Sequence, residues 1–293
     1  MKSIIPALLS SLALITPLHN AMAASYAVSY DKVTNFGISS VGTVSFSAFT
    51  VSSDSAYLGG SGTASGNPSD AAASCINCSY SNSFMSHGMG SAPGYSYGDA
   101  QISSTSPTIL ANVLAGTGAA SSIGEAGVFS DIAMASGSNT MSGTFTVSGL
   151  ATVLSFGFMA NPYLLTSVTN AGADSALAKM GMQISIFQGS TKIFDWTPDG
   201  QAGGIFGGVE TADPFSLQTL LGDDASFTPG AGNFNAATGG LVAGTYKITI
   251  KMLNEVDVTD STGAASVPVP AALPLLGSGL LGLFGWTRRR RTI

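Results

Sequence analysis

The segment LVAGTYKITIKMLNEVDVT, late in the chain, places Tyr246, Ile248 and Ile250 on one side of an extended backbone. Thr245, Lys247, Thr249 and Lys251 fall on the other. Apolar residues at every second position suit a strand with one buried and one wet face, and a helix cannot segregate them that way. The same period returns elsewhere. GTVSFSAFTVSS alternates Val44, Phe46 and Ala48 against serines until Phe49 and Val51 break the phase. TMSGTFTVSGLATVLSFGFMAN alternates twice, through Phe145 and Val147 and then through Leu154, Phe156 and Phe158. MQISIFQGSTKIFDWTPDG predicts a hairpin bent at Gln188, Gly189 and Ser190, with Trp196 near its end. One stretch, TNAGADSALAKMG, is the candidate for a short helix.

Composition points the same way. Charged residues make up 9% of the chain and glycines number 37, whereas ordinary soluble domains carry roughly 25% charge. Helices usually wet themselves with Lys, Glu and Arg; a surface of Ser, Thr, Asn and Gly favours strands and turns. The expected fold is mainly β: an antiparallel β-sandwich, jelly-roll-like, with long Gly- and Ser-rich loops, an N-terminal signal helix and a C-terminal transmembrane helix. An outer-membrane barrel would need many more lipid-facing strands. The expected organisation is a signal peptide over residues 1–23, one extracellular domain over 24–262 with a polar insertion at about 52–98, and a tail over 263–293.

Charge is unevenly spread. Of ten basic residues, Lys2 and four arginines lie in the terminal segments, so five lysines face all sixteen acids and the body between carries −11. A body so acidic repels nucleic acid and anionic lipid, and binding through basic patches is not expected.

The N-terminal residues join one basic residue to an apolar core and end in Ala21-Met22-Ala23. This is the anatomy of a secretory signal, with cleavage after Ala23 and export by the Sec machinery. At the other end, residues 271–286 carry no charge and would span about 24 Å as a helix, close to a hydrocarbon core. Trp286 falls at headgroup level, and Arg288, Arg289, Arg290 and Arg291 follow as a stop that keeps the terminus cytoplasmic. Before the span, Val267, Pro268, Val269, Pro270 and Ala271 form a stretch in which the prolines keep the backbone extended and unpaired.

These three parts, in this order, resemble the PEP-CTERM sorting signal of exported Gram-negative proteins. The resemblance covers about the last 27 residues, and Val269 stands where the family carries its acid. It implies an exosortase-like membrane transpeptidase as partner, acting near the Pro-Val-Pro element after transient anchoring in the inner membrane. It also implies a final place at the cell surface or in extracellular polymer, as in a biofilm matrix, with extracellular polysaccharide as a further partner.

Candidate chemistry in the body is sparse. Cys75 and Cys78 form CINC; in an exported chain a local disulfide is expected first, with a redox dithiol or half a metal site as alternatives. His87 has no orienting carboxylate or nucleophile near it in sequence. The dense acids are Asp223 with Asp224, Asp195 with Asp199, and Glu255 with Asp257, the last pair on one strand face. Calcium could sit among such carboxylates, although no Asp-x-Asp-x-Asp-Gly loop is present; no other cofactor is expected. Tyr95, Tyr97 and Trp196 would serve a carbohydrate-binding module if exposed, and alternation places Trp196 in the core equally well. The expectation is therefore a non-enzymatic surface or matrix protein. A secreted carbohydrate-binding module is the alternative, and a secreted hydrolase, which needs a carboxylate pair in a cleft, is the third reading.

Overall fold

The computed structural model describes residues 25–58, 71–76, 94–104, 118–128 and 132–261. They form a mainly antiparallel sheet of thirteen strands. In chain order these are β1 (Ser25–Leu58), β2 (Ala71–Ile76), β3 (Tyr95–Ser104), β4 (Gly118–Val128), β5 (Ile132–Ala160), β6 (Tyr163–Val168) and β7 (Ser175–Gln188). They continue with β8 (Thr191–Trp196), β9 (Gly208–Ala212), β10 (Leu220–Leu221), β11 (Ser226–Phe227), β12 (Gly232–Thr238) and β13 (Gly244–Thr259). The β2–β3 pair alone is parallel among the strands described. There is no helix among the described residues.

A long antiparallel pair of β1 and β5 organises the sheet, running from Val33 opposite Ala160 to Leu58 opposite Met134. Its register shifts three times, including between Phe46 and Phe49, where the sequence breaks its alternation, and between Val41 and Thr43. Gly42 lies at the second shift with φ 121°, a conformation that a side chain disfavours. Such irregularities bend a strand and raise its twist. Around this bend β5 exchanges partners: its first part pairs with β13 from Ile132 to Val147, and its last part pairs with β12 from Ser155 to Ala160. The sheet thus divides into two arms. One runs through β5, β13 and β7 to β8 and β10, and the other through β12, the ends of β5 and β1, and β4 to β3 and β2.

The arms meet through their apolar faces. Phe156 stacks on Phe194 with ring centroids 5.3 Å apart and Phe158 meets Trp196 at 5.5 Å, while within the second arm Phe158 stacks on its strand partner Phe234 at 5.0 Å. Close approach elsewhere depends on two glycines. A Cβ on Gly137 would lie 2.0 Å from the Asp99 carbonyl oxygen, and one on Gly98 would lie 2.4 Å from that of Ser136. Backbone there touches backbone, which only glycine allows.

The hairpin at Gln188–Ser190 is present, with Gly189 at φ 60° joining β7 to β8. The expected short helix is not. Ser175–Gly181 lies in β7, where Ala176, Ala178, Met180 and Met182 are buried and the residues between face outward. Pairing of both edges of β7 overrides the modest helical preference of SALAKM. Upstream, Asp174 accepts the backbone N–H and hydroxyl of Ser261 at 3.0 and 3.1 Å, tying the start of β7 to the end of β13. The polar insertion at 52–98 is also more regular than expected. Its first residues extend β1 to Leu58, and it contains β2 and the beginning of β3. Cys75 lies in β2, while Cys78, His87, Ala21, Ala23 and the whole tail from Val267 to Arg291 lie outside the described residues.

Candidate functional site

Beyond β8 the chain turns at Asp199 and Gly200, the latter at φ 78°, and returns through β9 to Asp213 and Pro214. The Asp213 Oδ2 atom accepts the N–H groups of Asp199 at 2.9 Å and Gly200 at 2.7 Å, closing this loop. Asp199 Oδ1 accepts from Gln201 N at 2.9 Å. Glu210, on β9, accepts the indole N–H of Trp196. Asp199, Glu210 and Asp213 each bring one carboxylate oxygen to within 4.8 Å of the others.

Crowding shifts their protonation. Burial pushes the Glu210 carboxyl above its ordinary value; the indole hydrogen bond offsets part of this and the Asp213 charge adds to it. Burial raises Asp213 as well, against the pull of the Gly200 and Asp199 N–H groups. Asp213 Oδ1 has no hydrogen-bond partner among the described residues. Three hard oxygen donors on a partly exposed loop can do one of two things. They can share a proton between Glu210 and Asp213, or they can hold a divalent cation such as calcium whose remaining ligands would be water.

The acids singled out by sequence are mostly occupied elsewhere. Asp195 does not join Asp199; it accepts from Gln183 and Ser185 and pairs with Lys192. Asp223 and Asp224 accept the backbone N–H groups of Ala176 and Val168, at the start of β7 and the end of β6. Glu255 pairs with Lys179 at 2.9 Å, and Asp257 is raised by burial and then by the Glu255 charge. Glu210 and Asp213 were missed by sequence reading. The only local hint is that ETADP carries two carboxylates three residues apart, the second just ahead of Pro214.

The aromatic platform is overturned. Tyr95, Tyr97 and Trp196 are all buried. Tyr95 donates to Glu125 at 3.0 Å beside Tyr26 at 2.6 Å, and Tyr97 donates to Asp99 at 2.9 Å. GYSYGD looks like an exposed loop in sequence, yet pairing with β4 draws it into the sheet. No protein-family model matches the chain, and no curated protein or solved structure matches it.

Proposed function

We propose that this chain is an exported, non-enzymatic surface or matrix protein, sorted through its C-terminal segment by an exosortase-like transpeptidase. The observation that carries this reading is the ordered set of Val267-Pro268-Val269-Pro270, an uncharged span, and Arg288 to Arg291. The fold is compatible with presentation at a membrane. Ser261, fixed to Asp174, precedes Val267 by six residues, a reach of at most about 20 Å. A tail held in the bilayer would keep the sheet close above it, with the Pro-Val-Pro element between.

The finer form of the fold belongs to the same proposal: the two arms act as the layers of a β-sandwich of jelly-roll type. Ring contacts across the arms, and hydrogen bonds from β13 to β1 and β4, support that reading. The test of sorting is the C-terminal peptide mass of protein from its native host, in membrane and released fractions. A mature end near Pro270 is the expected result. Chains ending only at Ile293, all membrane-held, would overturn it and leave a plain tail anchor.

A further inference from the structure

Charge that averages to strong acidity in the sequence is segregated by the fold. Four of the five lysines of the body, Lys179, Lys192, Lys247 and Lys251, project from the outward side of β7 and β13 and from the start of β8. Glu255 neutralises Lys179 and Asp195 neutralises Lys192, each at 2.9 Å. Lys247 and Lys251 are exposed and form no ion pair among the described residues. They stand four residues apart on one strand, about 13 Å between Cα atoms. Thr249 lies between them, and Thr140, Ser142, Thr144 and Thr146 line the adjoining edge on β5. Among the described residues the other acids of this side, Asp54 and Asp257, lie one and three rows beyond Lys251 toward the Leu58 end of the β1–β5 pair.

We propose that this lysine-and-hydroxyl face docks an anionic polysaccharide, a polymer that carries carboxylates among many hydroxyls. The proposal rests on the surface-or-matrix reading and names its partner. Charge complementarity selects the ligand: among the described residues Lys247 and Lys251 are two unpaired ammonium groups on one strand face, whereas Lys32, also exposed and without an ion pair, stands apart on β1. Ser142, Thr144 and Thr146 already bond across strands to Thr50, Ser47 and Thr245, and each hydroxyl oxygen keeps a further lone pair to accept from a polyhydroxyl chain. A duplex nucleic acid carries a charge every ~1.7 Å, far denser than two cations about 13 Å apart can match. Single contacts of this kind are weak, and a repeating polymer gains by engaging many copies at once.

The test is binding of the full-length chain to immobilised polygalacturonate at low ionic strength, with neutral dextran and duplex DNA as controls. Wild type is expected to bind polygalacturonate and not dextran, and to release it as salt rises. The K247Q/K251Q double variant should bind roughly ten-fold more weakly, K247R/K251R should restore binding, and K32Q should not change it. Both side chains are exposed, so an unchanged melting temperature checks that the variants fold. Equal binding by K247Q/K251Q, equal retention on dextran, or DNA competing as well as polygalacturonate would each overturn the proposal. A chain that fails here but is recovered trimmed near Pro270 loses this face and keeps its sorting; a chain that binds but is never trimmed does the reverse.

Discussion

Two buried regions between the arms are built on different terms. Around Trp196 the contact is made by rings, Phe156 on Phe194 at 5.3 Å and Phe158 against Trp196 at 5.5 Å, with Phe234 backing Phe158 from its own arm. Around Asn254 it is polar. Asn254 donates to Ser29 at 2.7 Å and accepts from Ser122, while Ser29 donates to the Lys179 carbonyl at 2.7 Å. Asp31 lies beside this seam, paired across the strands with Ser122, fully buried, and its Oδ1 has no partner. Rings tolerate small slips because dispersion is non-directional, whereas each seam hydrogen bond is satisfied in one alignment of the arms. The ring region therefore supplies stability and the seam supplies alignment, with Asp31 as its weak member.

Breaking the ring side should have the largest effect. Trp196→Ala removes a side chain that is 1% exposed, and a loss of about 3–5 kcal/mol is expected in urea unfolding of the full-length chain. A loss below ~1 kcal/mol would mean that the rings do not carry the contact.

Asp31 sharpens the polar side through pH. Burial pushes its carboxyl from 3.8 up to about 7. Between those values the folded chain holds a proton that the unfolded chain has released. Stability should thus fall as pH rises across that window and level off above it. The difference is on the order of 4 kcal/mol. Asp31→Asn should flatten this slope and be more stable than wild type at pH 8. Parallel curves for the two chains would show that Asp31 is solvated in the native state.

Asn254→Ala leaves the Ser122 hydroxyl without its acceptor and Ser29 without a donor, at a cost of about 1–3 kcal/mol. Its signature should be broadened amide signals in β1, β4 and β13, which Trp196→Ala would not produce selectively. The smallest effect belongs to the loop beyond Trp196. Calcium should raise the melting temperature of wild type and not of Asp213→Asn if the three carboxylates hold a cation. No response in wild type would assign them to proton sharing.

Much of this was legible along single strands. The alternation of Tyr246, Ile248 and Ile250, the turn at Gly189 and the phase break after Phe46 all reappear as strand, hairpin and register shift. Asp199, Glu210 and Asp213 were not legible as a group. Their meeting depends on a loop closed by backbone N–H groups accepted at Asp213, which no spacing rule encodes. Tyr95 and Tyr97 misled for a related reason: a glycine-rich neighbourhood suggests a turn, and only pairing with β4 makes it a buried strand.

By itself, then, the sequence determined which residues alternate, which ends carry an apolar run beside basic residues, and how much charge the body holds. These are properties of neighbours, and period two or a run of arginines is written within a few residues. Only the tertiary structure decided where β5 exchanges β13 for β12, which carboxylates converge, and that four lysines share one side of the sheet. Those outcomes join residues from a few to more than a hundred positions apart. Register and packing select them, and composition averages them away.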